Sequence, residues 1–160
     1  MECLWTPWRM EYLVSDKEGA CVFCEKIHSQ DDRDNLVLYR GAQVAIMMNL
    51  YPYNTGHLMV IPYAHVPSLE DLDAETQAEM MRLVTRALQA LRETLRPDGF
   101  NVGVNIGRAA GAGISDHVHL HVVPRWQGDT NFMPVLAGTR TIPEMLLGTF
   151  DRLKAVLTDE

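Results

Sequence analysis

The run His117-Val-His-Leu-His-Val-Val123 places three imidazoles at alternate positions with apolar side chains between them. That order suits a strand across Asp116–Pro124. Period-two geometry sends the three imidazoles to one face and Val118, Leu120 and Val122 to the other. In a helix, His119 would turn away from its neighbours and half of the apolar residues would surface. The three are half of the six histidines in the chain. Stacked imidazoles are expensive to bury, and the polar face of an edge strand more often carries Thr or Lys. The row therefore points to metal ligation, proton transfer or nucleophilic attack.

The remaining patterns place this strand in a sheet. At 160 residues, 47% hydrophobic and 22% charged, the chain can bury one ordinary core. We read a single domain over residues 21–160, preceded by an arm, residues 1–20, with Trp5 and Trp8 but no clear period. Residues 21–35 read as a Cys-x-x-Cys knuckle and an Asp-rich loop. Leu36–Arg40 and Val44–Asn49 form an expected hairpin around Gly41, and the turn formers Pro52, Asn54 and Gly56 lead to a strand over His57–Pro62. From Ser68 to Arg96, apolar residues recur every three or four positions, the signature of a helix packed on a sheet, and Pro97-Asp98-Gly99 stops it. Phe100–Ile106 alternates as a strand, and Gly107–Gly113 is a glycine-rich loop. Residues 127–140 form a long connection. Ile142–Leu157 is a second amphipathic helix, with Met145, Leu146, Phe150, Leu153, Val156 and Leu157 on its buried side. The expected class is α+β, a mainly antiparallel five-stranded sheet with one long helix and a C-terminal helix.

Charge narrows the partners. A formal net charge of -7 argues against a surface that coats nucleic acid, while leaving room for a polyphosphate held by a few oriented donors. No stretch approaches ~18 consecutive apolar residues and the N-terminus lacks a signal pattern, so the expectation is a cytoplasmic protein with no membrane partner. Three cysteines suit a reducing compartment better than a disulfide framework. Cys21-Val-Phe-Cys24 alone leaves zinc, a redox pair or coincidence open, with a thioredoxin-like role disfavoured. Asp31, Asp32 and Asp34 read as a solvated loop, Tyr51 and Tyr53 as base-stacking or packing residues, and Arg125 as a phosphate-steering or solvated charge.

The run at 117–123 resembles the motif of the histidine-triad family, His-φ-His-φ-His-φ-φ with φ apolar. Asn49, eight residues before His57, resembles the family's ribose-binding Asn or Asp and its upstream active-site His. Asn105, in Val-Asn-Ile-Gly, resembles the Asn or Gln that reaches the phosphate, and Pro124-Arg125 closes the motif as in many members. The resemblance spans about residues 21–125. Trp5-Thr-Pro-Trp-Arg-Met-Glu-Tyr12 and the stretch from Pro124 to Phe132 look similar to the bacterial branch related to diadenosine tetraphosphate phosphorylases.

The resemblance implies a fold and a chemistry. It implies nucleotidyl transfer or hydrolysis at the α-phosphate of a dinucleoside polyphosphate or nucleoside phosphoramidate, with adenine or another purine as base and no organic cofactor. His119 would be the nucleophile that carries a nucleotidyl intermediate, with His117, His121 and His57 completing the catalytic set. Asn49, Asn105, Gly113 and Ser115 would bind the nucleotide together with His119 and His121. Many members carry Gln and Ser or Thr just before the triad, where this chain has Gly113 and Ile114; Ser115 or bare backbone takes their place. Zinc-bearing relatives, including galactose-1-phosphate uridylyltransferases, imply a structural zinc on Cys21, Cys24, His65 and His117. Family members also imply a homodimer or higher homo-oligomer, with the aromatic ends, Trp5, Trp8, Tyr12, Trp126 and Phe132, as its cover. Two other readings stand beside this one. One is a purine-nucleotide-binding protein with negligible turnover; the other is a zinc hydrolase with its metal on His117, His119 and His121.

Overall fold

In a computed structural model, residues 21–129 and 144–158 are described; the 1–20 arm with Trp5, Trp8 and Tyr12, and Phe132 in the long connection, lie outside the described residues. The alternating segments form β1 (Val37–Arg40), β2 (Val44–Met48), β3 (Leu58–Pro62), β4 (Gly99–Val104) and β5 (Leu120–Arg125). They make one sheet in the order β1-β2-β3-β5-β4, and every neighbouring pair is antiparallel. Among the described residues, three α-helices pack on it: α1 (Val22–His28), α2 (Ala74–Leu95) and α3 (Leu146–Thr158). The expected α+β architecture, five strands with a long and a C-terminal helix, is the one observed.

The two faces of the sheet bury different sets. Leu38, Ile46, Met48, Leu58, Leu120 and Val122 meet α2 and α3 through Met80, Val84, Leu91, Phe150 and Leu153. Val37, Ala45, Met47, Met59 and Ile61 meet α1 through Phe23 and Ile27. Because β2 and β3 are covered on both sides, all ten of their residues are buried, and they read as continuous apolar runs. Each large aliphatic side chain so buried contributes about 1.5–3 kcal/mol, so α2 is held mainly by its apolar face.

Several boundaries differ from the sequence reading for identifiable reasons. The long helix starts at Ala74, six residues after Ser68, because the Asp73 carboxylate caps it by accepting the Thr76 N–H at 2.7 Å. Leu69–Asp71 instead form a short 3-10 turn. At the other end Arg96 takes a left-handed conformation, φ 49°, since the following Pro97 disfavours a helical Arg96. Met145 is 83% exposed just before α3 begins at Leu146, where a buried helical position is expected from the sequence. The Cys-x-x-Cys segment is a helix, because Phe23 and Ile27, four apart, both reach the sheet. Asp31 and Asp34 are exposed in their loop as expected, whereas Asp32 accepts from Arg40 and Lys154, tying β1 to α3.

One buried acid organises the hairpin. Glu79 of α2 accepts the backbone N–H groups of Ala42 and Gln43 at 2.7 and 2.9 Å, which closes the β1–β2 turn against the helix. A side chain on Gly41 would run into that carboxylate.

Candidate active site

The triad sits where the sheet ladder stops. Regular pairing begins at Leu120, opposite Val60 and Val104, so His117–His119 precede the strand rather than lying in it, a correction to the expected Asp116–Pro124 span. Two contacts hold this lead-in. The Val118 N–H donates to the Val66 carbonyl at 2.7 Å, and the His117 ring Nε2 donates to the Pro62 carbonyl at 2.8 Å. A side chain thus takes an acceptor at the end of β3 that strand pairing would otherwise use. The alternation survives: Val118 and Leu120 enter the α2 side of the core, while His119 and His121 face the α1 side with their rings 4.8 Å apart.

The hydrogen bonds assign the tautomers. A carbonyl oxygen only accepts, so His117 carries its proton on Nε2 and turns the Nδ1 lone pair to the cysteines. His119 Nδ1 lies 2.9 Å from the His117 carbonyl, which puts its proton on Nδ1 and leaves the lone pair on Nε2. His57 Nδ1 accepts the Tyr53 N–H at 3.0 Å, so its Nε2–H donates to His121 Nδ1 at 2.9 Å. His121 in turn carries its own proton on Nε2. A lone pair on His119 and an N–H on His121 therefore stand side by side.

Burial keeps these rings neutral. His57 and His117 are fully buried and His119 nearly so. Desolvation, with a smaller push from His121 and His119, drives the His57 pKa down to about 3. Desolvation likewise lowers His119 and His117, partly offset by their hydrogen bonds to carbonyls. A neutral imidazole is the form that attacks an electrophile or ligates a metal.

His119 and His121 open onto a cavity of about 350 Å³ that Asn49, Tyr53, Gly111, Gly113 and Ile114 also line. Its floor comes from cross-strand register. His121 pairs with Met59, Met59 with Met47, and α1 supplies Val22 and Phe23 as a wall. The Phe23 ring stands edge-on to His119, centroids 4.8 Å apart. Of the expected site residues, Asn49, Gly113, His119 and His121 line the cavity. His57 lies behind His121, His117 behind His119, and Asn105 and Ser115 are not on the wall; the Ser115 hydroxyl donates to Asp116. The Asn49 side-chain Oδ1 also caps its own loop by accepting the Tyr51 N–H at 2.9 Å. Tyr53 packs on the rings of His57 and His121, and Arg125 pairs with Asp129 and Asn101. Val22, Phe23, Lys26, Met47 and Met59 carry no local sequence signal for a site, since only helix formation and strand register bring them together.

Behind the triad, Cys21, Cys24, His65 and His117 offer two sulfurs and two ring nitrogens within 4.8 Å of one another. His117 Nδ1 is 3.3 and 3.6 Å from the two sulfurs, and His65 Nδ1 is 3.4 Å from Cys24. Helix α1 presents both thiols from its first turn, and the Val66–Val118 bond brings His65 alongside His117. This donor set suits a tetrahedral zinc. Burial and the adjacent Cys21 push the Cys24 thiol up, so a bound cation is what would draw off its proton.

Comparison with known proteins agrees with this geometry. Residues 30–128 match the family model of the HIT domain. The chain is 44% identical over 158 residues to a Mycobacterium tuberculosis protein named AP-4-A phosphorylase, an alignment covering 93% of this chain and 80% of that one. It is 33% identical over 93 residues to an asymmetrical bis(5'-nucleosyl)-tetraphosphatase of Schizosaccharomyces pombe, covering 58% and 50% of the two chains. A crystal structure of a zinc-bound histidine triad family protein from Mycobacterium smegmatis superposes with a TM-score of 0.68 at 32% identity, covering 86% of this chain and 93% of that one.

Proposed function

The chain belongs to the histidine-triad (HIT) family, and from that membership we propose that it is a nucleotide hydrolase or phosphorylase acting at the α-phosphate of a dinucleoside polyphosphate. The observation that carries this reading is the His119 tautomer: Nδ1–H held by the His117 carbonyl, the Nε2 lone pair left for attack beside the cavity. His119 Nε2 attacks the α-phosphorus. A P–N bond forms, the P–O bond to the leaving nucleoside polyphosphate breaks, and charge developing on the phosphoryl oxygens is met by the His121 Nε2–H. Water or inorganic phosphate then attacks the nucleotidyl-histidine, the P–N bond breaks, and His119 is regenerated. His57 positions His121 through the bond between their rings. Asn49 is the proposed ribose partner, with an amide that both donates and accepts, and loop backbone around Gly113 the proposed phosphate partner. We place the enzyme in the cytoplasm as a homodimer or higher homo-oligomer; among the described residues no helix is long and apolar enough to cross a membrane.

The test is product analysis with diadenosine tetraphosphate. With phosphate present, a phosphorylase releases ADP and ATP; without it, a hydrolase releases AMP and ATP. Binding with no product under either condition would leave a nucleotide-binding protein.

Zinc is proposed on Cys21, Cys24, His65 and His117 as a structural ion, a reading that the donor set and the zinc-bound relative support. It would fix the His117 ring and, through it, the carbonyl that orients His119. The purified protein should carry about one zinc per chain by mass-spectrometric metal analysis, and Cys21→Ser with Cys24→Ser should remove it. Zinc retained by the double variant would move the metal to the triad and end the structural assignment.

A further inference from the structure

The cavity has one fully charged side chain among the described residues that line it, Lys26. Its company is apolar: Val22 and Phe23 one turn earlier on the same helix face, with Met47 and Ile114 also on the wall. Lys26 is half-buried and makes no hydrogen bond or ion pair with any described residue. A half-buried ammonium on an apolar wall has donors that no described residue satisfies, open to something bound in the cavity.

The direction of α1 says what that is. Phe23, near the helix start, touches the rings of His117 and His119. At the far end, the carbonyls of Ile27 in the last turn and of the C-cap Ser29 accept from Arg40, the last residue of the edge strand β1. The helix therefore leads away from the triad, and Lys26 lies about 4.5 Å further along it than Phe23. If the α-phosphorus sits at His119 and the ribose at Asn49, the floor of Met59 and Met47 is left for the base, and Lys26 stands at its outer edge.

We propose that Lys26 reads the nucleobase, favouring 6-oxopurines over 6-aminopurines by donating to acceptors on the base edge; the inference rests on the nucleotide reading of the cavity given above. The discrimination is a matter of donors and acceptors. A 6-oxopurine presents two adjacent acceptors, O6 and N7, whereas a 6-aminopurine replaces O6 with an amino donor. An ammonium has donors only, so the second edge leaves one contact repulsive. Apolar walls grip both rings alike and do not distinguish them.

Calorimetric titration of the full chain with inosine and adenosine 5′-monophosphates tests this without turnover. The two ligands differ only around position 6. In Lys26→Met the preference for inosine monophosphate should fall about tenfold, the scale of one charged hydrogen bond, while adenosine monophosphate binds within a few-fold of wild type and so reports an intact fold. Lys26→Arg should keep most of the preference. An unchanged ratio in Lys26→Met overturns the assignment, and equal weakening of both ligands makes Lys26 a phosphate contact instead. Wild-type protein that binds neither mononucleotide at millimolar concentration would remove the nucleotide reading itself, and this inference with it.

Discussion

His119→Ala lowers turnover of a dinucleoside polyphosphate by about three to five orders of magnitude and leaves mononucleotide affinity within a few-fold. The asymmetry follows from the site. His119 contributes one edge of a cavity whose floor and walls come from Met47, Met59, Val22 and Phe23, so little contact area goes with its ring. What goes is the lone pair. His121 does not replace it, because its Nδ1 is occupied by the His57 Nε2–H and its own proton sits on Nε2. Burial holds His119 below the ordinary imidazole range, so the wild-type ring is already neutral at pH 7 and needs no base to deprotonate it. His119→Asn should behave like His119→Ala, since an amide keeps a polar group without a nucleophile. Rapid quenching of the wild type should yield an adenylylated peptide containing His119. A variant that retains a tenth of wild-type activity would exclude the covalent route.

The part of this site that the chain displays openly is the part built by short-range pattern. Three histidines separated by single apolar residues have one economical conformation, and the conformation itself puts them in a row. The long helix is equally plain, because Met80, Leu83, Val84, Ala87 and Leu91 keep helical spacing over several turns. The Ser68 start that the pattern suggests lies six residues early because Ser68 and Asp73 are both good caps, and Leu69 and Leu72 turning into the core decide between them. Helix α1 escaped notice for a different reason. Seven residues hold too few turns for a period to emerge, and its stability comes from Phe23 and Ile27 meeting the sheet.

The functional roles divide along the same line. His65 and Cys24 are 41 residues apart, and nothing in their local sequence joins them; the resemblance alone suggested the pairing that the fold brings about. Proton positions on the rings are further removed still, being set by three backbone groups, the Pro62 and His117 carbonyls and the Tyr53 N–H. Two of these are contacts between segments distant in sequence or made by a turn. Asn105 and Ser115 are nucleotide-binding candidates by motif position alone, and neither lines the described cavity.

His57 provides the sharpest check on the proton assignment, through stability. In the folded chain its pKa lies near about 3, whereas an unfolded imidazole titrates near about 6.5. Below pH 6.5 the unfolded state thus binds a proton that the folded state refuses. Stability from this group is fully present above about pH 6.5 and declines by about 1.4 kcal/mol for each pH unit on the way down to about pH 3, roughly 5 kcal/mol over the whole window. The depressed carboxylates, Asp32 and Asp151 among them, lose their contributions lower down, near about pH 4 and below, so the upper half of the window belongs to imidazoles. His117 and His119 slope in the same direction, and comparison with a single variant separates them. His57→Asn should be less stable than wild type at pH 7.5, because a fully buried ring and two hydrogen bonds are lost. By pH 4.5 that gap should narrow by about 3 kcal/mol, read as converging urea midpoints at equal metal loading. A gap that stays constant from pH 7.5 to 4.5 would mean that His57 accepts a proton in the fold. In that case it would not be a fixed donor to His121, and the proton on His121 Nε2 would lose its warrant.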